Sequence, residues 1–182
     1  RQRARLMANP WTPAYVLHQR PFRDQSVVLE LLTQDGGRLG AVYHRGQGRK
    51  APPLAFVPGE WQLSGRGDLR TAYGFQSGSG QPLAGQALFA GLYINELLVR
   101  LLPRFDALPY LFVEYGRAAE RLGAAACEST LRRFELALLS ELGYRLNLRT
   151  DENGEAIREH GHYRLESERG LCIVTGQLSS SE

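Results

Sequence analysis

Between residues 14 and 75 the chain alternates short apolar runs with glycine-rich turns, and this rhythm limits the fold more than any other feature. The runs, residues 14–20, 26–33, 38–44, 59–64 and 69–75, are rich in Val, Leu, Tyr and Trp. Between them stand Gln34-Asp35-Gly36-Gly37, Arg45-Gly46-Gln47-Gly48 and Gly65-Arg66-Gly67-Asp68. Asp-Gly between two apolar runs is a strong hairpin signal. Five short strands in about 65 residues suit a small closed barrel of the OB type better than a sandwich, which needs seven or more.

After Ser77-Gly78-Ser79-Gly80-Gln81-Pro82 the period changes. Residues 83–102 are apolar on nearly every side, which predicts a helix buried in the middle of a bundle, stopped by Pro103. Residues 109–122 carry Leu111, Phe112, Tyr115, Ala119 and Leu122 at helical spacing. Residues 129–142 carry Leu131, Phe134, Leu138 and Leu142, with Ser129 as an N-cap and Gly143 as a C-terminal cap. Beyond Arg145 the pattern weakens to a polar loop and a short hairpin, 163–168 with 171–174, around Arg169-Gly170. The last residues close no core, which suggests a disordered tail or a truncated protein. The expected class is α+β: an N-terminal five-stranded OB-type β-barrel (1–80), a helical bundle domain (81–144) and a small C-terminal hairpin region (145–182).

With 43% hydrophobic and 23% charged residues in 182, wholesale disorder is excluded. There is no apolar run of membrane-spanning length and no apolar segment after the basic first residues. Cys127 and Cys172 make no disulfide framework. A cytoplasmic protein is expected, with no membrane contact. The net charge of +3 is uneven: residues 1–80 carry +6 and residues 81–182 carry −3. Such asymmetry points to a nucleic-acid-facing domain joined to something else.

Arg20, Arg23, Arg38, Arg45, Arg49, Lys50, Arg66 and Arg70 form the candidate DNA-binding set, on a barrel that also carries Tyr15, Phe22, Tyr43, Trp61, Tyr73 and Phe75. OB barrels hold single strands with a cationic groove and aromatic faces on which bases stack. Taken one by one, the aromatics fit the core better, whereas Arg45, Arg49 and Lys50 on a glycine-rich loop fit phosphate contact. Arg132 and Arg133 open the third helix, where a cation is mildly disfavoured and free N–H groups attract an anion. The alternative there is an ion pair within the helix, Arg132 with Glu135 or Glu128.

His160, His162 and Cys172 lack a fourth ligand and a Cys-x-x-Cys pair, so no metal or cofactor is expected. No phosphate loop, nucleophile elbow or His-Glu-x-x-His is present, and acidic residues do not cluster in the strands. Nothing points to an enzyme.

Gly91-Leu92-Tyr93-Ile94-Asn95-Glu96-Leu97-Leu98 and Leu131-Arg132-Arg133-Phe134-Glu135-Leu136-Ala137-Leu138-Leu139, followed by Leu142-Gly143-Tyr144, resemble the signature helices of the RecO family of bacterial DNA repair proteins, proteobacterial branch. Tyr15-Val16-Leu17-His18, Arg20-Pro21, Gly36-Gly37-Arg38 and residues 64–69 agree, and the resemblance runs from about residue 14 to 174. It implies an OB barrel, a helical domain and a small C-terminal region in a cytoplasmic, nucleoid-associated protein of the RecF pathway. It further implies binding to single- and double-stranded DNA, annealing without ATP, and partnership with RecR. Single-strand-binding protein (SSB), through its C-terminal tail, and indirectly RecA complete the implied partners. The tail-binding cation of the Leu-Arg-Arg-Phe helix corresponds to Arg132, with Arg133 as its neighbour.

Two departures stand out. Some branches hold zinc with four C-terminal cysteines, whereas Cys172 is alone here, so no zinc is expected. The family's last segment is also largely missing after Glu182. The competing class is a protein-interaction adaptor with only weak DNA contact.

Overall fold

The computed structural model describes residues 10–23, 25–44, 54–124 and 127–174. The chain forms two compact units, Arg1–Leu138 and Leu139–Glu182.

The first unit begins with five strands: β1 (Trp11–Phe22), β2 (Ser26–Thr33), β3 (Gly37–His44), β4 (Gly59–Ser64) and β5 (Leu69–Ser77). They close into a barrel in the order β1-β2-β3-β5-β4, with β3 and β5 parallel and the other pairs antiparallel. This is the OB-type arrangement expected from the turn spacing. The β2–β3 hairpin turns through Asp35-Gly36, and Gly37 sits at φ 65°, where a side chain is strained. A Cβ at Gly37 would also strike the backbone of Asp106.

Alternation sorts the strand residues. Val27, Leu29, Leu31, Leu39, Ala41, Tyr43, Trp61 and Ala72 point inward and form the barrel core. Tyr43, Trp61 and Phe75 pack on one another with ring centroids 5.0–5.9 Å apart. Val28 and Leu32 alternate with that inward set, yet both are buried. The outer side of β2 is therefore covered as well.

Three helices follow: α1 (Gly85–Leu101), α2 (Pro109–Ala124) and α3 (Cys127–Glu141). Leu102, just before Pro103, turns extended (ψ 134°), as the residue before a proline prefers. Pro109 opens α2, where its missing N–H costs nothing. Asn95 of α1 ties helix to barrel: its Nδ2 donates to Leu17 O at 2.8 Å, and its Oδ1 accepts from the Tyr115 hydroxyl at 2.8 Å.

Two expectations are corrected. α1 is not buried all round: Phe89, Leu92, Tyr93 and Leu101 are exposed, because apolar composition marks surface able to pack, not surface already covered. Ser129 is not the N-cap of α3, which already includes Cys127 and Glu128.

In the second unit Gly143 (φ 88°) ends α3, with Tyr144 N–H donating to Leu139 O at 2.8 Å, the wider bond of a Schellman cap. Strands β6 (Tyr163–Glu166) and β7 (Gly170–Ile173) form the expected hairpin, and Gly170 takes a positive φ at the turn. Asp151 Oδ1 accepts the N–H groups of Asn153 and Glu155, while Arg169 pairs with Glu152 and Glu166.

Candidate nucleic-acid interface

The strand ladder decides which barrel cations can act together. Phe22 pairs with Ser26, and Ser26 pairs with His44, so the β1–β2 turn and the exit of β3 share one end of the sheet. Arg20 and Arg23 are exposed there, and the Arg23 guanidinium lies 5.1 Å from the Phe22 ring centre. Arg23 has φ 54°, an uncommon conformation for a side chain of its size, held at a tight turn. Ser26 Oγ and His44 Nδ1 are 2.8 Å apart at the same end. Arg45, Arg49 and Lys50 follow His44 in the chain and lie outside the described residues.

Arg38 and the loop carrying Arg66 belong toward the opposite end, and Arg70, paired with Ala41, lies midway along the ladder. Leu69 pairs with Gly40 in parallel, so the loop carrying Arg66 lies toward Gly37. Seven residues of ladder, at about 3.3 Å each, separate the Ser26–His44 pair from the Thr33–Gly37 pair, roughly 23 Å. Arg20 and Arg23 are therefore not in one patch with Arg38 and Arg66.

Nor are they equally open. Arg38 Nη1 meets Glu30 at 2.5 Å, and its Nε and Nη2 donate to Leu102 O at 3.0 and 2.8 Å. Its side chain is only 12% exposed. The other Glu30 oxygen accepts from Arg104 Nη2 at 2.9 Å. Arg38 thus satisfies a carbonyl left free at the end of α1 and clamps the helix to the outer β2–β3 face. That is the face on which OB barrels hold oligonucleotides. No sequence signal marks this bond, since Arg38 and Leu102 stand 64 residues apart. Arg70 donates to Gly65 O and stacks on Phe105, 5.5 Å from its ring centre. Arg66 is exposed and forms no ion pair among the described residues.

Of the aromatics, Tyr43 and Trp61 belong to the core, and Phe75 packs against it. Tyr15 rests on Phe112 and Tyr115, and its hydroxyl is pushed up by burial. Phe22 is half-buried, and Tyr73 is exposed.

A second surface lies on the helices. Arg132 and Arg133 are exposed on α3, but in its second turn, past the four free N–H groups, so the helix terminus does not contribute to an anion site as the sequence suggested. Arg132 Nη1 pairs with Glu135 Oε2 at 2.6 Å, the within-helix alternative. The other Glu135 oxygen accepts the Tyr93 hydroxyl of α1 at 2.9 Å. This hydrogen bond raises the Tyr93 hydroxyl above its ordinary range, and the Glu135 bond likewise raises Arg132. Arg133 forms no ion pair among the described residues. Phe89 (73% exposed), Leu92 and Tyr93 on α1 and Leu136 on α3 are also exposed, and Tyr93 joins the two helices at this surface. The role of Tyr93 escaped sequence reasoning, because it stands 42 residues from Glu135.

Among the described residues no group of three or more His, Cys, Asp or Glu is placed to hold a metal. His160 and His162 are exposed, whereas Cys172 is buried, which pushes its thiol up. No described helix is long and apolar enough to cross a membrane.

The family model for the recombination protein O C terminal matches residues 83–180. DNA repair protein RecO of Pseudomonas putida (strain GB-1) is 43% identical over 162 residues, covering 87% of this chain and 71% of that protein. The protein of the same name from Halorhodospira halophila is 42% identical over 161 residues, 87% and 69%. That from Pseudomonas paraeruginosa is 45% identical over 166 residues, 88% and 70%. With a matching family model over more than half its length and relatives at this identity, the chain belongs to the RecO family of DNA repair proteins.

Proposed function

We propose that this chain is a recombination mediator of the RecF pathway that binds single- and double-stranded DNA and anneals complementary strands without ATP. It acts with RecR and with the C-terminal tail of SSB in loading RecA. The observation that carries the reading is the pairing, in one compact unit, of a closed barrel bearing open cations with a helix pair bearing Arg132, Arg133 and exposed apolar side chains.

On the barrel, Arg20 and Arg23 with Arg45, Arg49 and Lys50 supply the first DNA contact. They share a strand end, or follow it in the chain, and the β2–β3 face is already engaged by α1. Arg66 supplies a second contact toward the other end. Arg38 and Arg70 have protein partners and contribute least. Cations that neutralise phosphates on both strands lower the repulsion that opposes annealing, whatever the base sequence. If about five phosphates are contacted, log affinity for a single strand falls with log salt at a slope of about −3.5.

On the helices, Arg132 meets the terminal carboxylate of the SSB tail, with Arg133 beside it and the apolar side chains under the rest of the tail. The test is annealing of two complementary fluorescent oligonucleotides without ATP, once naked and once coated with SSB. Annealing in both states, with the coated reaction lost when the SSB tail is deleted, is expected. No annealing in either state would favour a protein-interaction adaptor, a reading helped by the division of the barrel cations between two ends.

A further inference from the structure

Resting on the reading of the Arg132 surface as an acidic-tail site, we infer that Glu135 is a built-in competitor for Arg132 and sets which acidic ligands the site accepts. Three side chains from two helices make a ladder: Tyr93 hydroxyl to Glu135 Oε1 at 2.9 Å, then Glu135 Oε2 to Arg132 Nη1 at 2.6 Å. Both carboxylate oxygens of Glu135 are engaged, and its side chain is 20% exposed against 64% for Arg132. The cation is thus open to solvent while its internal counter-ion is held from the neighbouring helix.

A ligand carboxylate either displaces Glu135 or takes the guanidinium N–H groups that Glu135 leaves free, for Arg132 uses only Nη1. By either route two carboxylates crowd one cation, which costs affinity. A bare anion gains little under that repulsion. A peptide that also lays apolar side chains against Phe89, Leu92 and Leu136 offsets it by burying exposed surface. Glu135 therefore discriminates against simple anions and single acidic residues in favour of an acidic tail with an apolar segment.

The test uses the whole chain and a fluorescent acidic peptide that ends in an apolar residue with a free carboxylate, with its C-terminal amide as control. Glu135→Gln keeps an oxygen for the Tyr93 hydroxyl and removes the charge. Binding of the free-acid peptide should tighten about threefold or more at low salt, the size expected for one charge near 6 Å in water. The gain should shrink as salt rises. Unchanged or weaker binding overturns the inference while leaving the tail site standing. Arg132→Ala should weaken the peptide and abolish the gain from Glu135→Gln. A gain that persists without Arg132 means that Glu135 acts by general charge alone, which overturns the inference. Loss of no affinity on Arg132→Ala overturns the tail site and the inference together. The thermal midpoint of Glu135→Gln should stay close to that of the unaltered chain, so that a change in peptide affinity is not a change in folding.

Discussion

The barrel and the helical surface around Arg132 differ in how their large side chains are placed. Tyr43 and Trp61 are packed in the barrel core, and Arg20, Arg23 and Arg66 are exposed on it. Helices α1 and α3 leave Phe89, Leu92, Tyr93 and Leu136 exposed, and Arg132 and Arg133 are exposed on α3 as well. Under the proposed function, one compact unit would carry two kinds of recognition. Charge spread over a rigid scaffold suits a phosphate backbone, whose contacts carry no sequence information. Apolar side chains around a cation suit a peptide that ends in a carboxylate.

The sharpest way to break this contrast is to shorten one aromatic of each kind. Trp61→Ala should destabilise the chain by about 3–5 kcal/mol, the usual cost of emptying a core ring, seen as a lower urea midpoint. Phe89→Ala should change stability by no more than about 0.5 kcal/mol, as exposed substitutions do, while weakening the tail peptide. Equal loss of stability would mean that Phe89 is packed rather than available. Next in size, Asn95→Ala removes the link between α1 and β1 and takes away the acceptor of the buried Tyr115 O–H. About 2–3 kcal/mol should be lost.

Burial also holds the Tyr115 hydroxyl far above the ordinary tyrosine range. Above about pH 10 the unfolded chain releases a proton that the folded chain keeps. Stability from this group is therefore fully present below pH 10 and falls as pH rises beyond it. Denaturant titrations between pH 9 and 11 should show a shallower decline for Tyr115→Phe than for the unaltered chain. The smallest effect concerns the barrel cations: Arg49→Ala with Lys50→Ala should flatten the salt slope of single-strand binding by about 1.4, or about 0.7 per phosphate contact. An unchanged slope removes that loop from the DNA site.

What could be read in advance was local chemistry. Asp35-Gly36 announced the β2–β3 turn, Pro103 the end of α1 and Gly143 the cap of α3, because each acts within a few residues of itself. Tertiary partners were not legible. Arg38 looked like a surface cation until Glu30 and Leu102 O closed on it, and the uniform apolarity of α1 concealed an open face. The Arg132–Glu135 pair was visible as helical spacing, but the Tyr93 hydroxyl that fixes Glu135 comes from another helix. Strand and helix period report which residues can face a partner; they do not say which partner arrives.

Separation of the two surfaces is tested most directly by titrating Arg132→Ala with the SSB tail peptide and, in parallel, with a naked oligonucleotide. Peptide affinity should drop severalfold while oligonucleotide affinity stays within twofold of the unaltered chain. Equal loss of both ligands would contradict the account, because one shared cationic surface would then serve DNA and tail alike.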